Sequence, residues 1–156
     1  MKQKIIKTNK SLEDLLPNIS ENFPKQSYLS NTNGVEVSVY PEFIDSQVSA
    51  VGSLFVWVYH VKIENKSSED LRLINRHWKI IDEKGVVQEI DGEGVVGEKP
   101  LIAMNGNFQY SSGVHLRHPS GIMTGNYKMQ KNNGETFDAK IPAFSLDTPS
   151  IKVRIN

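Results

Sequence analysis

The stretch that decides the fold is residues 54–64, whose sequence is LFVWVYHVKIE. Alternate residues of a β-strand point to the same face of a sheet. Here every second residue is aromatic or aliphatic, whereas the positions between them include His60 and Lys62. The pattern predicts a central strand with one wholly apolar face toward the core. That face consists of Phe55, Trp57, Tyr59, Val61 and Ile63.

The same two-residue period recurs on both sides of this strand. Upstream, Val35, Val37 and Val39 alternate with polar residues. Downstream, residues 71–81 form another strand-like segment, but its apolar positions change parity between Leu73 and Trp78. One inserted residue moves all following side chains to the opposite face of a strand, so we expect a bulge or bend near residues 74–76. Trp78 is then expected to pack between two sheets.

Turn-forming residues separate the strand-like segments about every 8–12 residues, as in β-sandwiches. Examples are DEKG at residues 82–85 and NNG at residues 132–134. The serine- and aspartate-containing segment that precedes residue 54 is expected to be a loop. We therefore predict an all-β chain, with seven to nine strands in an immunoglobulin-like or fibronectin type III-like sandwich.

Three regions are predicted along the chain. Residues 1–33 differ in composition and are expected to form an N-terminal arm, with one short helix that begins near Ser11 and ends before Pro17. Residues 34–150 are predicted to be the sandwich domain. Residues 151–156 would be a C-terminal tail.

Composition narrows the function classes. Lys plus Arg and Asp plus Glu each number 18, so the formal net charge is zero. This balance disfavours a nucleic-acid-binding function, which usually requires a basic surface. The chain has no cysteine, which excludes disulfides, thiolate zinc sites and a cysteine nucleophile. No apolar run is long enough for a signal peptide or a membrane span, so we expect a cytoplasmic protein without membrane insertion.

A Gly-x-Gly-x-x-Gly pattern lies in the sequence DGEGVVGEKP, residues 91–100. In one interpretation, Gly92, Gly94 and Gly97 let backbone amides converge on a phosphate, with Lys99 adding positive charge. In the other, the glycines serve a wide connection between sheets that requires positive φ angles. The second interpretation is favoured, because no helix is predicted after the motif and Glu93 and Glu98 would repel an anion.

Other candidate site residues are basic or histidine side chains. Arg76 and His77 are expected to belong to an exposed polar patch that faces a partner. His115 and His118 form a weak candidate for a metal site, since two imidazoles without a nearby acidic residue make a poor one. Both are expected in an exposed loop. No catalytic motif is present, and nothing in the sequence marks a base beside the serines at 111 and 112, so we predict a non-enzyme without a cofactor.

Several runs, in order, resemble the ApaG family. They are RHWKI (76–80), GEGVVGEKPLI (92–102), FQYSSG (108–113), GIMTGNYKM (121–129) and FDAKIPAFSLDTP (137–149). The resemblance covers residues 35–149 and implies a compact sandwich of the fibronectin type III or immunoglobulin type. It also implies an association with cobalt tolerance and magnesium efflux, and with partner recognition where the domain is fused to F-box proteins. It brings no established catalytic reaction.

Three functions follow as hypotheses. The first is a non-catalytic module that binds a protein partner, whose identity the sequence does not give. The second is a nucleotide or pyrophosphate sensor that uses residues 92–97. The third, direct binding of divalent metal, has the least support, and a homodimer is compatible with all three.

Overall fold

The computed structural model describes residues 27–149, which form nine β-strands and no helix. The strands are β1 (Tyr28–Thr32), β2 (Val35–Ser49), β3 (Gly52–Asn65), β4 (Leu71–Asp82), β5 (Val87–Glu93), β6 (Leu101–Ile102), β7 (Asn107–Leu116), β8 (Gly121–Gln130) and β9 (Thr136–Ser145). The predicted all-β class and strand number are confirmed. The helix expected near Ser11 and the tail at 151–156 lie outside the described residues.

Two antiparallel sheets form the sandwich. The first sheet has the order β1-β2-β3-β7, and the second has the order β5-β4-β8-β9, with the short β6 also paired to β4. Strand β3 is central, as the sequence predicts, because β2 pairs along one side and β7 along the other.

Aromatic side chains fill the space between the sheets. Trp78, on β4, is fully buried, and its ring centroid lies 5.0 Å from that of Tyr59 on β3. Phe144 completes this group at 6.0 Å from Trp78. Trp57 is 5% exposed and packs edge-on against Phe43 at 5.3 Å. The predicted core positions of both tryptophans are therefore confirmed.

The predicted irregularity in β4 is also confirmed. The register between β4 and β8 shifts between Leu73 and Asn75, so Ile74 is the extra residue of a bulge. Leu73 is consequently buried on one side of the bulge and Trp78 on the other, despite their opposite parity.

Two segments differ from the expectation. Residues 28–32, assigned to the N-terminal arm, pair with residues 35–39 of β2 around a tight turn in which Asn33 and Gly34 have positive φ. The segment before residue 54 is not a loop, because β2 continues to Ser49 and pairs with β3 as far as Gly52. Backbone pairing sustains this extension although its side chains are largely exposed, and composition alone did not reveal it.

Candidate functional site

The glycine loop, residues 94–100, interrupts the outer edge of the second sheet. Strand β5 pairs with residues 75–81 of β4, and β6 pairs with residues 71 and 72 of the same strand. The loop thus leaves and rejoins one side of β4, opposite the bulge at Ile74. The geometric interpretation predicts a connection between the two sheets, and this is wrong, because the loop stays within the second sheet. The positive φ angles that the same interpretation predicts are present.

Those angles occur at Gly94 (59°), Val96 (46°) and Gly97 (78°). Val96 and Gly97 form the centre of a tight turn, since the amides of Val95 and Glu98 each donate to the other's carbonyl at 2.8 Å. The Gly94 amide donates to the carbonyl of Ile74, also at 2.8 Å. Three amides of the loop therefore already have backbone acceptors, whereas a phosphate nest needs amides that converge on a ligand.

Arg76 fastens this loop to β4. Its Nη1 donates to the carbonyls of Glu93 at 3.1 Å and Gly94 at 2.9 Å. The guanidinium lies so close to Gly92 that a Cβ added there would be 2.6 Å from Nη1. A Cβ added to Gly94 would lie 1.9 Å from the carbonyl oxygen of Glu98. A side chain at Gly94 would thus collide with backbone, whereas a side chain at Gly92 would require the guanidinium of Arg76 to move.

The charged side chains of the loop are exposed. Lys99 Nζ lies 3.4 Å from a carboxylate oxygen of Glu93, and both side chains are about half-exposed or more. An exposed ion pair of this kind contributes little stability. Because Glu93 is the nearest acidic partner of Lys99, it offsets the positive charge that the phosphate interpretation assigns to that lysine.

Three tyrosines lie near Arg76, between the sheets: Tyr59 and Tyr127 are fully buried, and Tyr110 is partly buried. Burial raises the pKa values of Tyr59, Tyr110 and Tyr127 well above 10.0, and the positive charge of Arg76 opposes that rise. The hydroxyls of Tyr110 and Tyr127 are hydrogen-bonded to each other across the two sheets. These phenols are therefore neutral, and Arg76 links the polar part of the core to the glycine loop.

Arg76 and His77 do not form one exposed patch, which corrects the expectation. Successive residues of a strand point to opposite faces, and Arg76 shares the inward parity of Trp78 and Ile80. His77 points outward and contacts Asp91 through Nδ1 at 2.6 Å. The alternation of Arg76 with Trp78 and Ile80 is present in the sequence itself.

The expected exposed loop is corrected for His115, whereas His118 does lie in the connection between β7 and β8, where it is half-buried. His115 lies on β7 and is half-buried. His118 follows the strand and contacts Asp82 through Nδ1 at 3.0 Å. Burial would raise the pKa of Asp82, but hydrogen bonds from the Val86 amide, His118 and the Lys84 amide outweigh it and lower that pKa. Within residues 27–149 no three His, Asp or Glu side chains cluster as a metal site would require.

A hydrogen-bonded chain of three residues, not predicted from the sequence, crosses the first sheet. His60 Nδ1 lies 2.6 Å from Ser111 Oγ, and His60 Nε2 lies 2.9 Å from Glu42 Oε2. A base therefore does lie beside Ser111, and it comes from the neighbouring strand. Only pairing of β3 with β2 and β7 brings these residues together, across separations of 18 and 51 positions. His60 is 1% exposed and stacks on Tyr40.

The hairpin tip, residues 44–54, extends β2 and β3 past their neighbours in the first sheet. Strand β1 pairs with β2 only as far as Val39, and β7 reaches β3 only from Phe55 onward. Three aliphatic side chains of the tip are exposed: Ile44 at 48%, Val48 at 86% and Val51 at 86%.

No helix within the described chain has the length and apolar character needed to cross a bilayer.

Comparison with known proteins places this architecture in one family. The ApaG domain profile matches residues 45–131. Protein ApaG of Methylocella silvestris is 46% identical over 129 residues, covering 83% of this chain and 99% of the relative. Protein ApaG of Paramagnetospirillum magneticum is 47% identical with the same coverage.

Two solved structures agree with this result. The putative ApaA protein from Bordetella pertussis has 39% identity and a TM-score of 0.69, covering 74% of this chain and 94% of its own. An X-ray structure of a Northeast Structural Genomics Consortium target has 40% identity and a TM-score of 0.73, covering 76% and 90%. Profile, sequence relatives and structures agree, and this chain belongs to the ApaG family.

Proposed function

We propose that this chain is a non-catalytic binding module and that it contacts a protein partner through the hairpin tip. The observation that carries the proposal is the exposure of Ile44, Val48 and Val51 on a two-stranded extension. Two-stranded ribbons are marginally stable alone, and clustered exposed aliphatic side chains often mark interaction surfaces.

The register of the hairpin gives this surface a direction. Val48 pairs with Ser53, and Ser46 pairs with Phe55, so Val48 lies on the same face as Phe55 and Trp57. The core-facing side of the first sheet therefore continues into the exposed tip. A partner that covers Val48 would extend this apolar layer, and the burial of further apolar surface would favour binding.

Charge indicates what the partner offers. The hairpin tip, residues 44–54, contains one charged residue, Asp45, and no lysine or arginine. Complementary potentials guide protein association. We therefore expect a partner protein with an apolar recess flanked by lysine or arginine side chains.

The family's association with cobalt tolerance and magnesium efflux would then be indirect, through that partner. Among the described residues, His60, His77 and His118 each pair with one carboxylate, and no group of three potential ligands is present. The nucleotide or pyrophosphate sensor at residues 92–97 is the alternative. It has less support, because the amides of Gly94, Val95 and Glu98 donate to backbone carbonyls.

Site-specific photo-crosslinking tests the proposal. A benzophenone amino acid is placed at position 48 and, as a matched control, at the exposed Val86 of the turn between β4 and β5. We expect a discrete crosslinked protein from position 48 only. Excess unlabelled wild type or the V86S/V87S variant should suppress this product, whereas V48S/V51S should not.

Equal competition by V48S/V51S would contradict the proposal, as would the same product from position 86. Circular dichroism of both double variants establishes that they are folded. All four substituted valines are at least 49% exposed, so the two double variants are matched in surface character.

A further inference from the structure

A groove of about 450 Å3 crosses the outer face of the second sheet, on the side away from the tyrosines and the glycine loop's buried contacts. Three adjacent strands each supply two polar side chains to it. These side chains are His77 and Lys79 from β4, Thr124 and Asn126 from β8, and Asp138 and Lys140 from β9.

The strand register sets the spacing of the two lysines. Lys79 pairs with Thr124, while Lys140 pairs with Asn126 two residues along the same central strand. The lysines therefore flank β8, with their backbones separated by two strand spacings across the sheet and two residues along it, or about 12 Å. Flexible four-carbon side chains can bring both ammonium groups to one ligand across that distance.

Charge favours an anionic ligand. Among residues 27–149, neither Lys79 nor Lys140 has an acidic ion-pair partner within 4.0 Å. Asp138 is the one carboxylate among the groove-lining residues. It would repel an anionic group placed beside it, but it can accept hydrogen bonds from ligand hydroxyls.

Two walls of the groove are held in place. The Lys140 amide donates to Thr32 Oγ1 at 3.0 Å, and the Lys140 carbonyl accepts from Ser30 Oγ, so two hydrogen bonds from β1 hold this part of β9. On the opposite wall, Asp91 orients the His77 ring through Nδ1. A site that is ordered before binding loses less entropy when a ligand enters.

We propose that this groove binds a small organic polyanion, with two phosphate or carboxylate groups held by Lys79 and Lys140. Hydroxyls of such a ligand would reach Asp138, Asn126 and Thr124. The volume is within the range of small-molecule sites, which favours a metabolite over a macromolecule. This site is distinct from both the hairpin tip and the glycine loop.

Amide chemical-shift titration of the full chain, with pyrophosphate and separately with citrate, tests the proposal. We expect saturable shifts at Lys79, Thr124, Asn126 and Lys140, with an affinity that falls as salt rises. Binding of pyrophosphate alone would assign the site to phosphates, and binding of both anions would indicate recognition by charge.

Variants decide whether the lysines are responsible. K79Q and K140Q should each weaken binding by about fivefold, the effect of losing one partly exposed charge contact. K84Q, which alters an exposed lysine in the turn after β4, should bind as wild type does. Shifts confined to residues 92–99, shifts that do not saturate, or an equal effect of K84Q would each overturn the proposal.

Discussion

The guanidinium of Arg76 occupies the space that a side chain at position 92 would need, with Nη1 2.6 Å from the site of an added Cβ. The same nitrogen donates to the carbonyls of residues 93 and 94. Arg76 can therefore adopt this position because residue 92 has no side chain. These contacts account for Gly92 and Arg76 without a bound ligand.

A double-mutant cycle measures this relationship. Gly92→Ala should destabilise the wild-type protein by about 1–3 kcal/mol, since an overpacked side chain must displace its neighbour. In an Arg76→Ala background the same substitution should cost much less, because the clashing group is gone. Urea unfolding of the four proteins gives the coupling free energy. Additive effects would show that Arg76 and Gly92 are independent.

The other two motif glycines should differ from each other. Gly97→Ala places a Cβ in open space at positive φ and should cost about 1–2 kcal/mol. Gly134, in the turn between β8 and β9, has the same open surroundings at a φ of 89° and is the matched control. Gly94→Ala should cost more than either, because its Cβ would also meet the Glu98 carbonyl. Equal losses at all three positions in thermal unfolding would contradict this ranking.

The two tryptophans should dominate the stability of the core. Trp78→Ala and Trp57→Ala should each lower the free energy of unfolding by about 3–5 kcal/mol, the usual range for a buried aromatic residue. Val51→Ala, at an 86% exposed position, should change it by less than about 0.5 kcal/mol. Chemical denaturation of the three variants tests this order, and a larger loss at position 51 would refute it.

The three tyrosines between the sheets predict a loss of stability in alkali. Their pKa values are raised in the folded state, so their contribution is complete below the unfolded value of about 10 and is lost as pH rises through the folded values. Unfolding by urea above that pH should release tyrosinate absorbance. Replacing Tyr59, Tyr110 or Tyr127 by Phe should remove one tyrosine's share of that increase. An unchanged increase would mean that the replaced phenol ionises in the folded protein.

Asp82 predicts the opposite dependence in acid. Its pKa is lowered in the folded state, so its contribution is present above the unfolded value of about 3.9 and is lost as pH falls through the folded value. The difference in stability between wild type and Asp82→Asn should therefore shrink as the pH is lowered below about 4. Unfolding curves at several acidic pH values measure it, and a difference that grows in acid would contradict the assignment.

The alternation of side chains made most of the fold predictable. Residues 55–63 and the parity change before Trp78 defined a central strand and a bulge because both depend on local sequence. Extending the same parity argument by two residues would have placed Arg76 on the inner face. The glycine pattern correctly indicated positive φ angles but not which strand edge the loop would interrupt.

The chain from Glu42 through His60 to Ser111 could not have been predicted in the same way. Its geometry depends on the register of three strands, which is set by pairing between distant parts of the sequence. A one-residue shift of either neighbour would turn Glu42 or Ser111 to the opposite face. Likewise, Lys79 and Lys140 share a groove only because β8 lies between their strands.

The interruption of the outer strand by residues 94–100 also shortens the exposed edge of the second sheet. Unpaired backbone groups along a sheet edge can recruit a strand from another molecule, and long regular edges lead to aggregation. Without the loop, β5 and β6 would follow one another along β4 as a nearly continuous outer edge. The tight turn at Val96 and Gly97 breaks that edge, which leaves a shorter run of backbone groups for a strand of another copy to pair with.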